Sequence, residues 1–163
     1  MIQVRIAGLS LDPVSEQPVL LLVRADDPSV NPRIAVPIWI GHAEAGAILL
    51  ALQDIAAPRP MTHDLLHNTI EMLGYTVTRV EITSLDAGTF YASVILQGTD
   101  REHVIDARPS DSVALAVRAG CPIFVAEDVF TEAAVEVTEV DEEEEVEKFR
   151  DFLDHVDPSD FMS

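Results

Sequence analysis

The chain has 163 residues, 48% of them hydrophobic, and a formal net charge of −19. This length and apolar content support one domain with a real core and exclude a disordered chain, and no run reaches the ~18 apolar residues of a membrane-spanning helix. The acidic balance argues against a dedicated nucleic-acid module, because few cations are present to replace phosphate counterions.

In chain order, residues 2–11 alternate loosely and predict a strand, with no basic segment before an apolar stretch that would suggest a secretory leader. Residues 12–18 hold two prolines and read as a turn, and residues 19–23 as a second strand, giving an antiparallel hairpin. A proline-containing loop over 25–33 leads to a third strand, 34–40, in which Pro37 marks an edge or a bulge. Gly41-His42 turns the chain into an alanine- and leucine-rich helix over 43–56. A second helix spans 62–73, with Leu65, Leu66, Ile70 and Leu73 at helical spacing and Gly74 just past its end. Strands over 76–85 and 89–96 are joined by the tight turn Asp86-Ala87-Gly88. Then come a short strand over 104–107, a helix over 110–119, a buried strand over 122–125, a short helix over 127–133 and a last strand over 135–137. Cys121, the sole cysteine, leaves no internal disulfide and no cysteine zinc site, and a cytoplasmic location is the expectation.

From residue 139 the composition changes. This stretch carries 11 acidic and 2 basic side chains, and Val146, Phe149, Leu153 and Val156 recur at helical spacing. The acidic block 142–145 complements the helix dipole, and the apolar stripe needs a partner, either the body or a second subunit. The predicted organisation is a body over 1–138 and an acidic helical extension over 139–163. The body is expected to be α+β, with a mixed, mostly antiparallel sheet packed with helices.

One phrase occurs twice. Arg59-Pro60-Met61-Thr62-His63-Asp64 opens one helix and Arg108-Pro109-Ser110-Asp111 another. Each supplies an arginine, a helix-breaking proline, a hydroxyl residue (Thr62, Ser110) fit to cap, and a first-turn aspartate. Free helix N–H groups beside an arginine and a carboxylate can hold a phosphate or a cation, and they also make good capping.

These phrases, together with Pro37-Ile38-Trp39-Ile40-Gly41 before Glu44-Ala45, Phe90-Tyr91-Ala92 and Ile105-Asp106-Ala107, resemble the bifunctional nuclease family over nearly the whole chain. The resemblance implies a compact α/β fold, divalent-metal-assisted cleavage of RNA and DNA, and assembly as homodimers or larger homo-oligomers. It supplies no catalytic assignments, so the roles follow from residue chemistry. Metal-assisted phosphodiester hydrolysis needs carboxylates around a hard cation, a group that moves a proton, and a positive charge for the phosphate. Asp106 and Asp111, with Glu44 or Asp64, are the candidate ligands for Mg²⁺ or Mn²⁺, and Asp64 is also a candidate catalytic residue beside His63. The plainer reading pairs Asp106 with Arg108 and gives Asp111 to the helix dipole. His63, beside Asp64, is the candidate for proton transfer. Arg59 and Arg108 either clamp phosphate or pin their loops to buried carboxylates. His63 and His67 share a helix face but lack a zincin glutamate. Two readings of function follow: a metal-dependent nuclease that binds nucleic acid weakly, or a non-catalytic homo-oligomeric interaction module of the same fold.

Overall fold

A computed structural model describes residues 1–27, 33–137 and 151. Strands β1 (Ile2–Leu11), β2 (Pro18–Arg24) and β3 (Arg33–Trp39) form an antiparallel meander. Val19 to Val23 of β2 are buried on both faces, which is why this strand reads as an unbroken apolar run rather than an alternating one. Pro37 lies opposite Leu21. Strand β8 (Val135–Val137) pairs only with Arg33, Ile34 and Ala35, so the missing N–H of Pro37 faces an edge with no ladder partner among the described residues.

The second meander comprises β4 (Thr76–Asp86), β5 (Thr89–Gln97) and β6 (Glu102–Ala107). Its tight turn places both Ala87 (φ 47°) and Gly88 (φ 81°) in the left-handed region, the geometry that a two-residue hairpin loop requires. The three-residue strand β7 (Ile123–Val125) joins the two meanders, antiparallel to β1 and parallel to β4. The result is one eight-stranded sheet in the order β6-β5-β4-β7-β1-β2-β3-β8, in which β4–β7 is the parallel pair. The fold is α+β with a mostly antiparallel sheet, as expected. The predicted acidic helix lies outside the described residues, apart from Asp151.

Helices α1 (His42–Leu52), α2 (Thr62–Met72), α3 (Pro109–Ala119) and α4 (Glu127–Ala133) complete the described elements. Ala45, Ile48 and Leu49 of α1, Val113 to Ala116 of α3, and Val129 and Phe130 of α4 join Leu20, Leu22, Val36, Val80, Ile82 and Val94 in one core. Helix α2 differs from its prediction. Its single buried residue is His63, while Leu65, Leu66 and Leu73 are exposed. Helical spacing registers amphipathicity but not what covers the apolar face. The two helices should therefore respond differently to truncation. Leu115→Ala, at 1% exposure, should cost about 3 kcal/mol in urea unfolding, and Leu65→Ala, at 62% exposure, should cost less than about 0.5 kcal/mol in the monomer.

Candidate active site

Helix α3 starts one residue earlier than its hydroxyl suggested. Pro109 has a preset φ and no N–H to satisfy, so it takes the first helical position, and Arg108 before it is extended (φ −69°, ψ 146°). Ser110 is thereby drawn into the first turn and buried. In α2, Thr62 likewise opens the helix and Met61 precedes it. Neither hydroxyl caps its helix. In α2 a carboxylate does this: the Met61 N–H donates to Asp64 Oδ2 at 2.9 Å. Glu44, Asp64 and Asp111 all stand at the third position of their helices, where the dipole favours negative charge.

These carboxylates form a connected set. Arg108 donates from Nε to Asp111 Oδ2 at 2.7 Å and from Nη2 to Glu44 Oε1 at 2.7 Å. His63 Nε2 meets Asp111 Oδ1 at 2.9 Å. The chain Glu44–Arg108–Asp111–His63 thus links α1, α3 and α2. His63 is almost buried, with 11% of its side chain exposed, while Arg108 is 66% exposed. Gly41 matters here, because a Cβ at that position would run into the carboxylate of Glu44.

A second ionic contact was not anticipated from the sequence. Arg118 of α3 donates from Nε to Asp64 Oδ1 at 2.6 Å and from Nη1 to the carbonyls of Ala114 and Ala47. Its side chain is 10% exposed. A lone cation ending the apolar run Val113-Ala114-Leu115-Ala116-Val117 was the available signal. Beside this pair lies a cleft of about 460 Å³ walled by Leu50, Ile55, Pro60 and Met61, within the roughly 300–1,000 Å³ range of ligand pockets.

The remaining candidates stand apart. Asp106 pairs across the ladder with Ser93, while the adjacent Ala92–Ala107 pair packs into the core. Alternation therefore puts Asp106 on the sheet face away from the helices, exposed and separate from Asp111. Arg108 pairs with Asp111 and Glu44 rather than with Asp106. Arg59 is exposed in the loop before α2. His67 turns to Glu71 at 3.8 Å. Among the described residues, no three His, Cys, Asp or Glu side chains are grouped to hold a metal ion.

Burial alone would raise the Asp111 carboxyl, but hydrogen bonds from Arg108 and His63 outweigh it and hold the group below the usual range. Asp64 is lowered by the Met61 N–H and then by Arg118. Arg108 is pushed further up, first by Asp111 and then by Glu44, so it stays cationic.

The pattern of the bifunctional nuclease domain matches residues 25–138, a span that includes every residue of both ionic contacts. The chain belongs to this family. An uncharacterised protein of Mycobacterium tuberculosis is 44% identical over 137 residues, which is 84% of this chain and 79% of that protein. Bifunctional nuclease 1 of Oryza sativa is 28% identical over 109 residues, 65% of this chain and 33% of the plant protein. Bifunctional nuclease 1 of Arabidopsis thaliana is 27% identical over 95 residues. The bifunctional nuclease domain here thus corresponds to about a third of the rice protein.

In this domain the folded-state values of Asp64 and Asp111 lie below the ordinary 3.8. Their stabilisation is therefore complete above that value and is lost as pH falls through the lower folded values. The melting temperature should fall steeply below about pH 4. An Asp64→Asn variant should start lower at pH 7 and lose less on acidification. An unchanged pH slope would contradict the Asp64–Arg118 assignment.

Proposed function

We propose that this domain is a nuclease that cleaves RNA or DNA phosphodiesters, with His63 moving the proton and Arg108 meeting the phosphate. The observation that carries this reading is the Glu44–Arg108–Asp111–His63 chain, with contacts of 2.7 to 2.9 Å. Asp111 accepts from the Nε2–H of His63, which fixes the tautomer and leaves Nδ1 as the acceptor. Nδ1 takes a proton from water as its oxygen attacks phosphorus, and the P–O bond to the leaving oxygen breaks. The exposed guanidinium of Arg108 meets the non-bridging oxygens, where charge accumulates. Because water is the nucleophile, the ribose 2′-hydroxyl is not required, and this supports activity on both polymers. Family membership and the names of the plant relatives point to the same substrate class.

The residues as arranged do not fit a divalent cation. Glu44 and Asp111 both ligate Arg108, whose positive charge lies between them, and Asp106 is on the other face of the sheet. No step is routed through a metal. Arg59, exposed at the start of α2, supplies a second phosphate contact in this reading. The exposed Leu65, Leu66, Met72 and Leu73 of α2 support pairing with a second copy beside the site.

A labelled single-stranded RNA and its DNA counterpart test the proposal, each assayed with Mn²⁺ and with chelator. His63→Asn should slow cleavage at least about 100-fold, in line with the loss of a general base, with the fold preserved by circular dichroism. Arg108→Gln should lower kcat more than it raises KM, because the guanidinium acts where charge accumulates and also holds Asp111 against His63. Parental rates in His63→Asn would remove the catalytic reading and leave the interaction module.

A further inference from the structure

The cleft beside the Asp64–Arg118 pair takes no part in the proton-transfer chain. Its walls come from the end of α1, the loop that leads into α2, and the end of α3. Helix α1 closes with the Ile55 N–H on the Leu50 carbonyl at 2.9 Å and the Asp54 N–H on the Ala51 carbonyl at 3.3 Å. These paired bonds put one residue in the left-handed region, where glycine is the relaxed choice. Here that residue is Asp54, with φ 53°. A carboxylate thus stands at a strained position on the cleft wall, and it makes no hydrogen bond or ion pair among the described residues.

The opposite wall holds a second polar group without a partner. Arg118 commits Nε to Asp64 and Nη1 to the carbonyls of Ala47 and Ala114. Its Nη2 makes no hydrogen bond among the described residues, although the side chain is only 10% exposed and a buried donor left unmade is costly. The cleft therefore offers one donor and the two oxygens of Asp54 between the apolar side chains of Leu50, Ile55, Pro60 and Met61. Two carboxylates against one guanidinium repel a phosphate. A flat ring with an acceptor beside donors on one edge is complementary. Among the nucleic-acid bases guanine has this edge, with O6 as acceptor and N1–H and N2–H2 as donors. Uracil sets a second carbonyl where N2–H2 would be, and adenine and cytosine turn a ring-nitrogen acceptor toward the carboxylate.

The cleft also lies at a suitable distance from the site. Asp64, on its wall, directly follows His63, and Arg118 is roughly 10 Å from Asp111 along α3. That is the span of one nucleotide from its phosphate to the far edge of its base.

We propose that this cleft is a guanine subsite, in which Arg118 Nη2 donates to O6 and Asp54 accepts from N1–H and N2–H2. The proposal rests on the nuclease reading for its place in the reaction. Within that reading it favours cleavage next to guanine in single strands, where the base edge is free.

Calorimetry of the full chain with guanosine, inosine, uridine and adenosine tests it. Guanosine should bind at least about tenfold tighter than inosine, which lacks the 2-amino group, and than the other two. Asp54→Asn should weaken guanosine binding by a similar factor. Asp54→Gly should abolish the preference for guanosine and yet raise the melting temperature by about 2 °C, since glycine suits the left-handed position. On a labelled strand of uridines carrying one guanosine, cleavage should fall beside the guanosine in the parent and spread along the strand in Asp54→Asn. Equal binding of the nucleosides, no binding of any of them, or guanosine binding unchanged in Asp54→Asn would overturn the proposal. Guanosine binding by a chain that cleaves neither RNA nor DNA would remove the nuclease reading and keep the cleft as a guanine site. Cleavage without guanosine binding would do the reverse.

Discussion

The guanidinium of Arg108 is the contact on which the site depends. Glu44 and Asp111 stand at the N-termini of different helices, each carries a negative charge, and neither is fully in water. Brought together without a cation they would repel. Arg108 resolves this with a fork that meets Asp111 through two nitrogens and Glu44 through one of the same two. A lysine offers one point charge and no such fork. Since Arg108 is mostly solvated, its ion pairs contribute at most about 1 kcal/mol to stability. Its importance therefore lies in the site rather than in stability: it orients Asp111, and Asp111 orients His63.

Helix α2 shows the same logic in another form. It places little apolar surface in the core, with Ile70 partly buried against it. Its attachment is mostly polar. Adjacent residues His63 and Asp64 reach Asp111 and Arg118, seven positions apart on α3 and so roughly 10 Å along its axis. Two contacts at separate points fix both the position and the rotation of the helix start. The two contacts are buried to a similar degree, with side chains 10% and 35% exposed for Arg118 and Asp64 and 11% and 29% for His63 and Asp111.

Much of the fold was legible in the sequence because its punctuation is local. Asp86-Ala87-Gly88, Gly74 and Gly120 mark turns and helix ends through backbone conformations that Gly or a tight turn supplies. Strand boundaries consequently fall within a residue or two of the predicted ones. What was not legible depends on pairing at a distance. β7 reads as a buried strand, but nothing in three residues says that it bridges two meanders. The first-turn carboxylates were visible as capping signals, and the repeated Arg-Pro phrase pointed to two of the three helix starts that matter. The third, Gly41 to Glu44, lacks the arginine and proline, and what it shares is a carboxylate at the same helical position. Asp106 was misleading because five residues from Asp111 is close along the chain, while the pleat sends it to the other face. Arg118 was missed because its partner lies 54 residues away.

A cycle of single-turnover cleavage by His63→Ala, Asp111→Asn and the double variant tests the coupling at the centre of this site most directly. If the imidazole works only as oriented by the carboxylate, the double variant should be no more than a few-fold slower than the slower single variant, because residues acting as one unit lose their effect together. Losses that multiply in the double variant, or single variants that cleave at the parental rate, would contradict it.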